Sequence, residues 1–131
     1  MTTSTVPLPL FTRMSQTAIA SEDPAKLVAF YRDVLGFRYA FETAGMHFLD
    51  IGGLLFMIGP KYPGVTIGGD ATFYFEPTAW RSTEAALTKA GVAFMHDAIV
   101  LQKEKDRELA LRAFKDPDGH TIAMYGWRDA A

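Results

Sequence analysis

Apolar residues recur along this chain in two rhythms, and the two rhythms follow one another in the same order twice. Residues 16–19 read as a short strand. Leu27, Phe30, Tyr31, Val34 and Leu35 then recur at i, i+3, i+4, i+7 and i+8, which is one face of a helix. Asp23 suits the cap of that helix and Pro24 its first turn, because a carboxylate can accept from free amides and proline has no amide to lose. Gly36 is a natural left-handed stop. Three short strands are predicted over 37–43, 46–51 and 54–58, with Gly45 and the Gly52, Gly53 pair at the turns. A second round begins near Asp70. It has a strand over 72–76 and a helix opened by Pro77 and Thr78. Trp80, Thr83, Ala86, Leu87 and Ala90 form one face of that helix, and Gly91 ends it. Strands over 92–96, 109–114 and 121–127 follow.

The order strand, helix, strand, strand, strand thus occurs twice, with an offset of 56 residues between Gln16 and Thr72. A repeated unit of this kind sets the architecture. The expected fold class is α+β: two βαβββ modules, residues 13–59 and 70–128, each a curved sheet with one covering helix. Residues 1–12, rich in Thr, Ser and Pro, read as a flexible arm, and 13–131 as a single domain. The Pro- and Gly-rich residues 60–69 form the linker. One helix can cover only one face of a four-stranded sheet, so the other face stays bare. Two such sheets set edge to edge would enclose a cleft, a favoured ligand position.

Composition narrows this picture modestly. The 131 residues are 49% hydrophobic and 13% aromatic, enough for an ordinary core. A net charge of −2 with no basic patch argues against a nucleic-acid surface. With no cysteine, disulfides and thiolate metal sites are excluded. No window is long and apolar enough to span a membrane, and the first ten residues lack the pattern of a secretory signal, so a cytoplasmic location is expected.

Residues 114–125 carry the most specific local signal. Pro117 presets one dihedral of a tight turn, Asp116 and Asp118 can accept from turn amides, and Gly119 can take positive φ. The alternating run after the turn suits a returning strand. Two stretches, residues 23–37 (DPAKLVAFYRDVLGF) and 114–124 (FKDPDGHTIAM), resemble the vicinal oxygen chelate superfamily of glyoxalase I, bleomycin resistance proteins and extradiol dioxygenases. Both motifs are mainly structural, so the resemblance speaks to fold more than to activity.

In metal-using members of that superfamily, one residue from each of four strands supplies a ligand. Transferred by counting, the positions here are Gln16, Phe56 or a neighbour, Thr72 and Ala123. Glutamine is a known variant of the first ligand, but a ring, a hydroxyl and a methyl do not replace His or carboxylate donors. The resemblance therefore implies a protein without metal or other cofactor. It leans toward the bleomycin-resistance-like branch, which sequesters small molecules without catalysis.

Counting in twos from those positions gives a candidate ligand-binding cleft of Gln16, Ala18, Phe56, Thr72, Tyr74, Ala123 and Tyr125. Its aromatic walls and few polar hooks suit a planar or amphipathic organic molecule. The bland alternative is that these side chains fill the cleft as a second core. His96, beside Asp97, is either a tuned base or an exposed strand-end residue. Arg112 either points into the cleft toward an anion or is surface charge. His47 reads as a half-buried sheet residue and His120 as a solvent-facing turn residue. The mixed-charge run 102–108 reads as a solvated hairpin tip, with a lid over the cleft as the alternative. The reading as a whole is a homodimeric binder of a small organic ligand. Its alternatives are a lyase, isomerase or dioxygenase of the same superfamily with altered ligands, and an assembly domain that has lost its site.

Overall fold

The structure, a computed structural model, describes residues 10–61, 63–64 and 66–130. It contains two βαβββ modules. The first has β1 (Gln16–Ser21), α1 (Pro24–Ala29), β2 (Arg38–Thr43), β3 (Met46–Ile51) and β4 (Leu54–Pro60). The second has β5 (Thr72–Phe75), α2 (Trp80–Lys89), β6 (Ile99–Lys103), β7 (Arg107–Lys115) and β8 (Thr121–Asp129). The sheets run β1-β4-β3-β2 and β5-β8-β7-β6, and in each the first strand is parallel to the last. Most of the expected arm lies outside the described residues.

Local chemistry explains most of the boundaries. The Asp23 side chain accepts from the Lys26 amide, and Pro24 occupies the first turn of α1. The helix widens into a π-helical turn over Phe30–Val34, with the Leu35 amide donating to the Phe30 carbonyl, and stops at Gly36 with φ +80°. Ala79 precedes α2 without a side-chain cap; Thr78 and Ala79 stay non-helical after Pro77, and α2 starts at Trp80.

The second module departs from its predicted strands. Residues 92–96 form no strand and touch β7 through a single bridge, Phe94 to Phe114. The strand is β6 instead, which pairs with β7 and makes Glu104, Lys105 and Asp106 the hairpin tip. Side chains hold residues 94–98 in place of a ladder. Phe94 packs edge-on against Phe114 (5.8 Å), and the Arg112 Nε donates to the His96 carbonyl (2.9 Å).

The core sits on the helix-covered side of both sheets and runs through both modules. Leu27, Val28 and Tyr31 of the first helical segment cover Leu49, Phe56 and Ile58; Trp80 and Leu87 of α2 belong to the same cluster, with Phe114, Ile122 and Met124. Phe37 meets Phe75 at 5.0 Å and Phe56 meets Phe73 at 5.7 Å, so aromatic edges join the halves. Among the described residues, no helix is long and apolar enough to cross a membrane.

Candidate functional site

Strand register decides which side chains share the face that no helix covers. β1 pairs with β4 so that Gln16 lies beside Leu55 and Ala18 beside Met57. Neighbours in register point to one side of a sheet. Phe48 of β3 joins them opposite Met57, and the Phe41 ring stacks on Phe48 at 4.5 Å. On the second sheet Thr72 lies beside Thr121, Tyr74 beside Ala123 and Ala123 beside Ala113, with Tyr125 opposite Leu111. Ala123, counted into the cleft from the sequence, is fully buried, and Ala113 nearly so, because the taller side chains around these two methyl groups close over them. Tyr74 and Tyr125 meet edge to face at 5.5 Å and 87° and remain 57% and 38% exposed. Gln16, Ala18 and Thr72 are exposed as well, so the two open faces do not cover one another within one chain.

Phe56 is not on the open face. It is fully buried on the helix side, 4.9 Å from the Tyr31 ring, because register sets it beside Thr17 and Leu49 rather than Gln16. A count shifted by one residue reverses the face of a strand position. The residues of β4 that accompany Gln16 and Ala18 are Leu55 and Met57. Phe41, Phe48 and Trp127 also belong to the open faces and were not anticipated. Alternation along β3 and β8 is the signal that finds Phe48 and Trp127, while Phe41 is hidden by the bulge between Tyr39 and Phe41.

His96 and Arg112 are tied up elsewhere. The Ala113 amide donates to the His96 Nε2 (3.3 Å), which leaves Nδ1 to donate to the Asp97 carbonyl (2.7 Å). Neither nitrogen is left to act as a base. Arg112 lies opposite Met124, on the helix side. Its Nη1 donates to Glu84 of α2 (2.7 Å), and its guanidinium stacks 4.1 Å above the Phe94 ring. His47 lies beside Ile58 on the helix side of its sheet, with its Nδ1 2.9 Å from the Tyr39 hydroxyl.

His120 is buried, not solvent-facing. Its Nδ1 donates to the Asp116 Oδ2 (2.8 Å), and its backbone amide donates to the Asp116 Oδ1 (2.9 Å). The Tyr31 hydroxyl, from the other module, donates to the same Oδ2 (2.6 Å), and Ser21 donates to Asp118. Burial pushes the Asp116 carboxyl up, but donation from His120, Tyr31 and the His120 amide outweighs it and holds the group below the usual carboxylate range. Burial and then the Asp116 charge push the Tyr31 hydroxyl far above its ordinary value, so it stays a donor. The turn motif thus fastens the two modules together. Nothing in the local sequence signals a partner 85 residues away.

The positions that the resemblance gives for metal ligands hold, once the register moves Phe56 to the helix side, Gln16, Leu55 or Met57, Thr72 and Ala123. An amide, an alkyl or thioether group, a hydroxyl and a methyl do not fit a divalent first-row metal, which takes imidazole or carboxylate donors. Among the described residues no cluster of three or more His, Cys, Asp or Glu could hold a metal ion.

No curated protein matches this sequence. Solved structures match it over most of its length. An integron cassette protein from the mobile metagenome of V. cholerae has a TM-score of 0.73 at 21% identity, covering 90% of this chain and 97% of that one. An antibiotic binding protein, TnmS3 from Streptomyces sp. CB03234, has a TM-score of 0.73 at 16% identity, covering 94% and 100%. A lactoylglutathione lyase from Agrobacterium tumefaciens has a TM-score of 0.69 at 17% identity, covering 89% and 95%. At these identities the likeness establishes the fold alone. Residues 13–124, however, match the model of the Glyoxalase/Bleomycin resistance protein/Dioxygenase superfamily, and the chain belongs to that superfamily.

Proposed function

We propose that this protein binds a planar or amphipathic organic molecule on the open faces of its sheets, without a metal and without turning it over. The observation that carries this reading is the half-exposed Tyr74–Tyr125 pair, packed edge to face over the buried methyl groups of Ala113 and Ala123. Rings held at right angles with one side free offer large apolar contact at small entropic cost, and their hydroxyls can orient a ligand. Gln16 and Thr72 add one amide and one hydroxyl. The ligand positions of catalytic relatives lack the donors that chemistry needs, and His96, the one histidine offered as a base, has both ring nitrogens engaged. The similarity to an antibiotic binding protein is consistent with this reading.

The same reading makes the protein a homodimer. One chain leaves aromatic residues bare on both sheets: Phe41 is 47% exposed alongside Tyr74 and Tyr125. A second copy that sets the open face of its first sheet against the open face of the other chain's second sheet covers both and closes a cleft lined by Gln16, Ala18, Met57, Thr72, Tyr74 and Tyr125. Two-fold symmetry then produces two such clefts.

A panel of planar aromatic compounds, screened by thermal shift, tests the binding. At least one should raise the melting temperature, because it binds the folded state only. Sedimentation should give the mass of a dimer, and elemental analysis of the purified protein should find no stoichiometric Zn, Ni, Mn or Fe. A monomer, or a panel without a single shift, would make the open faces a surface of another kind. One metal per chain, removable with loss of thermal stability, would restore the enzyme reading.

A further inference from the structure

The helix-covered side holds a second concavity, on the other side of the second sheet from the open face and bordering it only at Ala123. It lies at the seam of the modules, with a volume of about 390 Å³, within the size range of small-ligand pockets. Its floor is the buried core itself: Phe37, Leu87, Phe114, Ile122 and Met124. Its rim is exposed and includes Glu76, Thr78 and Ser82. The cause is local. The first helical segment ends at Gly36, which offers no side chain, and α2 turns Ser82, Thr83 and Ala86 toward the gap. Side chains this small cannot bridge the seam, so it stays open above an otherwise close-packed core.

The floor offers water no hydrogen-bonding partner, while Thr78, Ser82, Thr83 and Glu76 put polar groups at the rim, so the cavity suits a molecule with an apolar body and a polar head. The charge at the rim selects among such molecules. Among the described residues, Glu76 is the only charged one lining the cavity, and it forms no ion pair. Its Cγ stands 3.5 Å from the place a Cβ would take at Gly126, in space that the glycine leaves free.

We propose that this seam cavity is a binding site for a small organic ammonium ion, with an apolar body of about single-ring size inside and the protonated nitrogen at Glu76. A carboxylate at the rim favours a cation over a neutral molecule of equal shape, and it repels an anion. The site lies on the opposite side of the second sheet from Tyr74 and Tyr125. It stands or falls independently of ligand binding on the open faces.

The test uses the full-length protein and three probes of one shape: 2-phenylethylamine, 2-phenylethanol and 3-phenylpropanoate. Binding is followed by backbone amide NMR. The amine should bind saturably, perturb residues 34–37 and 82–87, and leave Tyr74 and Tyr125 unmoved. The alcohol should bind about tenfold more weakly, and the anion more weakly still. Glu76→Gln, an exposed substitution, should remove the preference for the amine while leaving the alcohol unchanged. Ala86→Phe, on the exposed side of α2, should fill the cavity and abolish both. Equal affinity for amine and alcohol, an amine affinity indifferent to Glu76→Gln, shifts confined to the open faces, or no saturable shift up to about 10 mM would each overturn the proposal.

Discussion

The second sheet carries three aromatic residues of its own on each side. On the helix side stand Phe73, Phe75 and Phe114; on the open side stand Tyr74, Tyr125 and Trp127. The division follows chemistry. Phenylalanine has no polar atom to satisfy, so it can be sealed against Phe37 and Phe56. Tyrosine and tryptophan keep a polar tip, which suits a face that meets water or a ligand. Trp127 shows the same logic, with the Arg107 guanidinium 4.0 Å above its ring. Equal ring count on two sides of one sheet thus serves cohesion on one side and, on the function proposed above, recognition on the other.

Truncation on the two sides should therefore differ sharply. Phe114→Ala, at a residue 2% exposed, should destabilise the protein by about 3–5 kcal/mol, read from the denaturant midpoint. A loss below about 1 kcal/mol would mean that the helix side is not the cohesive one. Asp116→Ala should come next, at roughly 2–4 kcal/mol, because it strands the buried Tyr31 hydroxyl and His120 at the module junction.

The same carboxylate predicts the acid limb of stability. Its pKa is lower in the folded protein than in the unfolded chain, so its contribution is present above about pH 4 and is lost as pH falls through the folded value. Asp116→Asn should flatten the fall in stability between about pH 5 and 2. An unchanged acid slope would remove Asp116 from that role. Gly119→Val should cost about 1–3 kcal/mol through backbone strain alone, since φ is +91° and an added Cβ meets nothing within 4 Å. The smallest effect on stability belongs to Tyr74→Ala, at under about 1 kcal/mol, while it should weaken binding of any aromatic ligand found by the screen. Loss of folding without loss of affinity would reverse the assignment of the two faces.

The sequence by itself determined nearly every element and the turns between them, because these depend on neighbours. Period-3.6 and alternating runs, an aspartate cap before a proline, and glycines at positive φ are all decided within a few residues. The repeat and the D-P-D-G turn were enough to specify a paired βαβββ fold. What the chain alone did not reveal depends on distant partners. Phe56 was set on the buried face by its register with Thr17 and Leu49, and one step of register exchanges the two faces of a strand. His120 was drawn inside by Asp116 and a tyrosine from the other module. β6 formed at 99–103 rather than 92–96 because β7 pairs there, leaving Phe94 to a single bridge. Strand pairing decided the first and third outcomes, the third within one hairpin, and a tyrosine 85 residues away completed the second; no alternation pattern records which register or which partner wins.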